Sequence, residues 1–284
     1  PADTSSDAPL TDTPLPDVQA DSTPDGTGDD CEDRAHWIYI VDRGKMLIRF
    51  MPDIMSLTEI GTLNCPVGAG VTPFSMSVDR NAVAWVLHTS LLGLGGGELF
   101  KVSTLDASCE PTTFTPAQEG FQVFGMGFVS DAPGIEDETL FIAGGATLSI
   151  GTGPSQLGYI NMDTLVVTRQ GTVPNWPELT GTGLAELWGF FPESTPPTVS
   201  MIDKWTGNVS NTYNLPELDT GQTEAWAFAF WGGDFYIFHK TMADVSTNIW
   251  KLEMDGGTVT NVMPNIGYAI VGAGVSTCAP VTII

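Results

Sequence analysis

The sequence predicts an all-β fold, on three observations. No helical periodicity runs longer than two turns, 32 Gly and 20 Pro mark frequent turns, and one short strand motif recurs five times. The motif sets a bulky residue ahead of alternating small and large ones. It reads Phe74-Ser75-Met76-Ser77-Val78, Phe124-Gly125-Met126-Gly127-Phe128, Trp188-Gly189-Phe190-Phe191, Trp226-Ala227-Phe228-Ala229-Phe230 and Val271-Gly272-Ala273-Gly274-Val275. Copies lie 50, 64, 38 and 45 residues apart, a spacing of blade length with variable loops. Five such units make a five-bladed β-propeller.

Side chains alternate across a strand, so Ser75, Gly125, Gly189, Ala227 and Gly272 share one direction, where five inner strands crowd a narrow axis. Met76, Met126, Phe190 and Phe228 then pack between blades. Second strands follow at Ala84–Leu87, Leu140–Ala143 and Phe235–Phe238, and third strands at Leu99–Val102, Leu157–Ile160, Val199–Ile202 and Ile249–Leu252. Blade four reads as compact, with Pro192 to Pro197 in place of a second strand. The segment from Trp37 to Leu63 supplies three strands without an inner one, and 271–275 is an inner strand without a blade. Joining the two closes the ring and removes the exposed sheet edges.

Residues 34–284 are the propeller domain. Residues 1–33 carry ten acidic groups, no Lys or Arg and no aromatic residue. Such a segment buries too little apolar area to offset its ordering entropy, so it reads as a disordered acidic tether. The whole chain has 10 Lys+Arg against 34 Asp+Glu, a formal charge of −24, which disfavours nucleic acid and anionic lipid surfaces as partners. The longest apolar runs, such as Tyr268 to Val275, are too short to cross a bilayer.

Four cysteines without a C-x-x-C favour two disulfides over a metal site. Cys278 follows the last inner strand and Cys31 precedes the strand it must join, so a Cys31–Cys278 bridge would fasten the closing blade. Cys65 is then left for Cys109. That pairing is awkward, because Cys65 follows an outer strand and Cys109 precedes the next one, which sets them at opposite faces of the ring.

In a propeller, the loops leading into the inner strands and those joining second to third strands gather at one face. This is the expected ligand face, called the upper face below. The residues leading in are Thr72, Gln122, Glu186 and Glu224, beside Trp188 and Trp226, with long loops at Thr89–Gly97, Gly144–Gln156 and Lys240–Asn248. Two carboxylates near indole rings suit a sugar or a cation. The competing reading makes both Trp residues blade packing, since they align with Phe74 and Phe124. A glycosidase would need acids converging on the axis, where the motif places only Ser, Gly and Ala. No catalytic residues, metal ligands or cofactor are implied. His36, His88 and His239 lie in or beside apolar strands, and Gly93–Gly97 lacks the helix of a phosphate cradle. Asp131, Glu136, Asp137 and Glu138 lack a calcium-loop pattern and read as a solvated turn. Asn208-Val209-Ser210 matches a glycosylation acceptor that matters only in a eukaryotic secretory host.

Several stretches together resemble a family. They include Gly61-Thr62-Leu63-Asn64-Cys65-Pro66, Thr72 to Arg80, Phe124 to Asp131, Ala185 to Phe191, Trp226 to Phe235 and Val271 to Pro280. Over residues 31–281 the chain is similar to an uncharacterised group of exported proteins and lipoproteins from myxobacteria and their relatives. The resemblance implies an envelope or extracellular location and carries over no catalytic residue. A surface or secreted binding module, with a glycan or an envelope protein as partner, is the expected function. A carbohydrate-active enzyme is the alternative.

Overall fold

The computed structural model describes residues 31–90, 95–151 and 153–282. The first thirty residues of the expected tether lie outside the described residues. Its last three, Cys31 to Asp33, are bound into the fold by the Cys31–Cys278 disulfide and a bond from the Glu32 amide to the Arg80 carbonyl.

The described chain forms five four-stranded antiparallel sheets. After a short 3-10 turn at Asp33–His36 come β1 (Ile38–Asp42), β2 (Met46–Met51) and β3 (Ser56–Thr62). Blade two is β4 (Val71–Val78), β5 (Val83–Ser90), β6 (Glu98–Ser103) and β7 (Cys109–Pro111). Blade three is β8 (Val123–Ser130), β9 (Glu138–Gly145), β10 (Ser155–Ile160) and β11 (Val167–Val173). Blade four is β12 (Glu178–Gly181), β13 (Leu187–Phe191), β14 (Thr198–Ile202) and β15 (Val209–Asn214). Blade five is β16 (Thr223–Trp231), β17 (Asp234–Thr241), β18 (Asn248–Glu253) and β19 (Val259–Met263). The last strand, β20 (Ile270–Gly274), pairs with β1 (Tyr39 opposite Gly274, Ile40 opposite Ala273), so the first blade is shared between the two ends as expected.

Five hydrophobic clusters of buried residues hold the ring, each between neighbouring blades. Met76, Met126 and Phe228 lie in three of them, as the alternation predicted. The small positions have a sharper cause than crowding at the axis: neighbouring inner strands touch backbone to backbone. A Cβ on Gly125 would come 2.6 Å from the Pro177 carbonyl oxygen, and one on Gly274 2.7 Å from the Ser77 carbonyl carbon. Side chains stitch the same seams, with the Phe128 amide donating to Ser77 Oγ at 3.1 Å and the Phe230 amide to Thr180 Oγ1 at 3.1 Å.

Blade four corrects the repeat. Trp188-Gly189-Phe190-Phe191 is its second strand, β13, and the inner strand is Glu178–Gly181. Inner strands therefore start at Val71, Val123, Glu178, Thr223 and Ile270, 52, 55, 45 and 47 residues apart. The uneven spacings of 64 and 38 came from matching an apolar second strand. Gly189 and Phe190 belong to that strand, where Phe190 is buried between blades four and five.

Both disulfides form as expected, Cys31–Cys278 with Cα atoms 6.1 Å apart and Cys65–Cys109 at 4.8 Å. The awkwardness of the second bridge comes from imagining flat blades. Adjacent strands rotate by roughly 20–25°, so over four strands the outer ones swing far from the axial direction. The end of β3 thereby meets the start of β7 in the next blade, where the Cys109 amide donates to Asn64 Oδ1 at 2.8 Å. Two disulfides are consistent with an exported chain. Among the described residues no helix is long and apolar enough to cross a membrane.

Candidate functional site

At the upper end of the axis lies a cavity of about 220 Å³ lined from all five blades. Arg43 and Val271 come from blade one, Thr72 to Phe74 with Thr89 and Ser90 from blade two, and Thr147 and Ile150 from blade three. Glu178 comes from blade four, and Glu224, Ala225 and Trp226 from blade five.

Glu178 is brought there by local chemistry. Pro174-Asn175-Trp176-Pro177 turns the chain inward from β11. Asn175 takes a left-handed φ of 54°, which its side chain tolerates better than most, and its carbonyl accepts from the Ser155 amide at 3.0 Å. Trp176 is buried as a plug, and β12 starts directly after Pro177. The Glu178 side chain is only 3% exposed and crosses over Gly125 of blade three to bond Ser75 Oγ of blade two. A Cβ on Gly125 would lie 3.1 Å from Glu178 Oε2, so the glycine leaves the lane open. Burial pushes the Glu178 carboxyl well above the usual carboxylate range, against smaller opposing bonds from Ser75 and the Met126 amide.

Glu224, at the start of β16, has the reverse environment. Arg43 Nη1 donates to its Oε1 at 2.8 Å and Lys240 Nζ donates to its Oε2, while Arg43 Nη2 also reaches its backbone carbonyl at 3.4 Å. The bonds from Lys240 and then Arg43 hold its carboxyl below the usual range. One cavity therefore presents an acid whose burial favours its neutral form and a carboxylate whose two oxygens are both engaged by cations.

The structure divides the residues expected at the site. Glu224 and Trp226 line the cavity, and so does Thr72. Trp226 lines the cavity and also packs against the cluster between blades four and five, as the blade-packing reading expects. Gln122 stands one step back, its Oε1 accepting from the Thr147 amide at 3.0 Å and so fixing the loop that carries Thr147. Glu186 and Trp188 are not there. Glu186 belongs to the β12–β13 turn at the lower end, where its Oε2 accepts from Trp188 Nε1 at 3.1 Å. Trp188 is buried blade packing, 4.9 Å from the Phe235 ring. Their displacement follows from the misread blade: a second strand starts at the end opposite an inner one.

Glu178 is the residue that motif matching missed, and the axis is not lined by small neutral groups alone. Glu178-Leu179-Thr180-Gly181-Thr182-Gly183 alternates with period two and ends small, a signal hidden by its polarity.

The remaining candidates are structural. His88 is fully buried against the Phe100 ring, and His239 Nε2 bonds Thr223 Oγ1 at 3.0 Å. Burial lowers both imidazoles to about 4, which keeps them neutral. Glu138 turns away from Asp131 toward Arg80 and Thr277, and no group of three or more His, Cys, Asp or Glu among the described residues forms a metal site.

No protein-family model matches the chain, and no curated protein matches it. Among solved structures it is similar to TolB from Acinetobacter baumannii, at 13% identity over 82% of this chain and 54% of that one, TM-score 0.47. It is also similar to a chain of a nidogen/laminin complex (10%, 84% and 97%, TM-score 0.50) and to a protein of unknown function from Bacteroides caccae (9%, 85% and 83%, TM-score 0.46). The chain spans about half the length of the TolB structure, 54%. At such identities the likeness is one of fold, a β-propeller.

Proposed function

We propose that this chain is an exported binding or scaffold module that takes its ligand, a glycan or an envelope protein, in the axial cavity. The observation that carries the reading is one cavity built by all five blades at the upper face, with charged, hydroxyl and aromatic groups converging on it. Exposed apolar side chains do not choose a face, since Leu148, Met242 and Val245 stand on upper loops while Leu105 and Trp205 stand on lower turns. The cavity does. An envelope location rests on the disulfides and the family resemblance, and the acidic stretch before Cys31 would hold the domain away from an anchor.

A carbohydrate-active enzyme is the second reading, favoured by two carboxyl groups in one cavity whose environments push them in opposite directions. It ranks lower because both oxygens of Glu224 accept from cations, Arg43 and Lys240, which makes the carboxylate a weaker base toward water.

The test is a screen of the purified chain against polysaccharides and envelope extracts, with hydrolysis followed on the same samples. Glu224→Gln and Trp226→Ala are each expected to weaken a captured ligand by about tenfold, while Glu186→Gln leaves it unchanged. Turnover of any polysaccharide would promote the enzyme. Affinity indifferent to Glu224 and Trp226 would move the site elsewhere.

A further inference from the structure

We infer that the axial cavity takes a single neutral sugar ring, the terminal hexose of a glycan, laid against Trp226 with Glu178 beneath it. This rests on the reading of that cavity as the ligand site and commits to a chemical class for the occupant.

Size limits the ligand first. At about 220 Å³ the cavity falls below the roughly 300–1,000 Å³ of pockets for drug-sized molecules, so it encloses about one ring and leaves the rest of a chain outside. Charge limits it next. Arg43 and Lys240 both donate to Glu224, which offsets one of their two charges before an anionic group arrives. An overall charge of −24 also repels anions before they arrive. A cation would have to ionise Glu178 at a site where burial opposes the charge. A neutral molecule meets none of these costs.

The distribution of polar groups then selects among neutral molecules. Thr72, Thr89, Ser90 and Thr147 bring four hydroxyl-bearing side chains to the lining, and each hydroxyl both donates and accepts. Trp226, Phe74 and Val271 bring apolar surface to the same space. A purely apolar ring would strip water from those hydroxyls without replacing its bonds. A sugar ring carries hydroxyls around its edge and C–H groups on its faces, which satisfies both kinds of lining. Glu178, at the base and bonded to Ser75, completes the polar side with a carboxyl that can donate to a sugar oxygen.

The experiment titrates the full chain with the methyl glycosides of glucose, galactose, mannose and N-acetylglucosamine, read by saturation-transfer NMR and tryptophan fluorescence. Glucuronate and glucosamine serve as charged counterparts. At least one neutral glycoside is expected to bind in the range of about 1 mM, the weak affinity of a lone small ring, with both charged counterparts about tenfold weaker. Trp226→Ala should lose about tenfold or more, and Thr147→Val a smaller amount. Glu178→Gln should keep affinity within about threefold, because an amide still donates and accepts, whereas Glu178→Leu should abolish binding. Circular dichroism and melting of each variant separate loss of ligand from loss of fold. Should Glu178→Leu not fold, the Trp226 and Thr147 variants still decide the matter. Failure of every neutral glycoside, equal binding of charged ones, or binding indifferent to Trp226 would overturn the sugar. Capture of an envelope protein that Trp226→Ala releases would sink the sugar while keeping the cavity as ligand site. Ligands that ignore both Trp226 and Glu224 would sink both.

Discussion

Gly125 and Glu178 show how one side chain depends on the absence of another. The carboxylate arm of blade four reaches Ser75 only because blade three offers no Cβ in its path. Gly125→Ala would drive a methyl group against the Pro177 carbonyl oxygen, at 2.6 Å, and the Glu178 Cα, at 3.0 Å, both backbone atoms that cannot swing aside. The expected cost is about 1–3 kcal/mol by urea unfolding, with a parallel loss of ligand affinity as Glu178 is displaced. A neutral Gly125→Ala would mean that β8 and β12 are not in close contact. At this scale the sequence pointed to the glycine as a small position and to Glu224 and Trp226 as site residues. It did not point to Glu178, because a Glu reads as exposed until the residue that buries it is known.

Elements explain the errors that residues could not. β13 resembles an inner strand because both are buried, and apolar alternation reports burial, not position in a blade. The true inner strand β12 is four residues long and opens on Glu178, so it carries little apolar pattern of its own. The closing strand was legible because β20 stood as an inner strand without a blade, and its pairing with β1 has a testable consequence. Cys31–Cys278 spans 247 residues and ties the end of β20 beside the start of the first blade. In the double variant Cys31→Ser with Cys278→Ser, the chain-entropy relation gives a loss of up to about 5 kcal/mol. Hydrogen exchange is expected to rise first at Ile270–Gly274 and only later in β17. Uniform acceleration across all blades would show that the bridge stabilises the ring as a whole and not the closing strand.

Across the whole molecule, stability should depend on pH from both sides. Glu138, partly buried at the lower end, accepts from the Arg80 amide at 2.9 Å and from Thr277 Oγ1 at 2.8 Å, joining blades two and three to the segment after β20. Burial raises its carboxyl to about 7, from an ordinary value of 4.5. A folded value above the unfolded one contributes stability below about pH 4.5 that is lost as pH rises through 7. The contribution is at most ~3 kcal/mol and is reduced by solvent screening. His88 and His239 act in the opposite sense. Their folded values of about 4 lie below the ordinary 6.5, so their contribution is present above 6.5 and lost as pH falls toward 4. Between about pH 4.5 and 6.5 the two imidazoles outweigh Glu138, so stability is expected to rise to about pH 6.5 and to fall above it. Glu138→Gln should steepen the rise and remove part of the alkaline loss, the rest belonging to Glu178. Chemical unfolding at pH 5, 6.5 and 8 checks this. An alkaline loss unchanged in Glu138→Gln would remove Glu138 as its cause.

What the sequence determined by itself was the repeat, its closure and the pairing of Cys31 with Cys278. Each follows from local alternation or from which strand is left without a partner. Only the tertiary structure decided which strand of blade four lies innermost, how sheet twist carries Cys65 to Cys109, and that Glu178 reaches the axis while Glu186 does not. Those outcomes depend on contacts between blades: a Glu of blade four, a Gly of blade three and a Ser of blade two lie 53 and 50 residues apart in sequence, at Glu178, Gly125 and Ser75, yet meet at one point of the ring. Strand periodicity records which side of a sheet a residue faces. It holds no information on which neighbour's backbone leaves room for it.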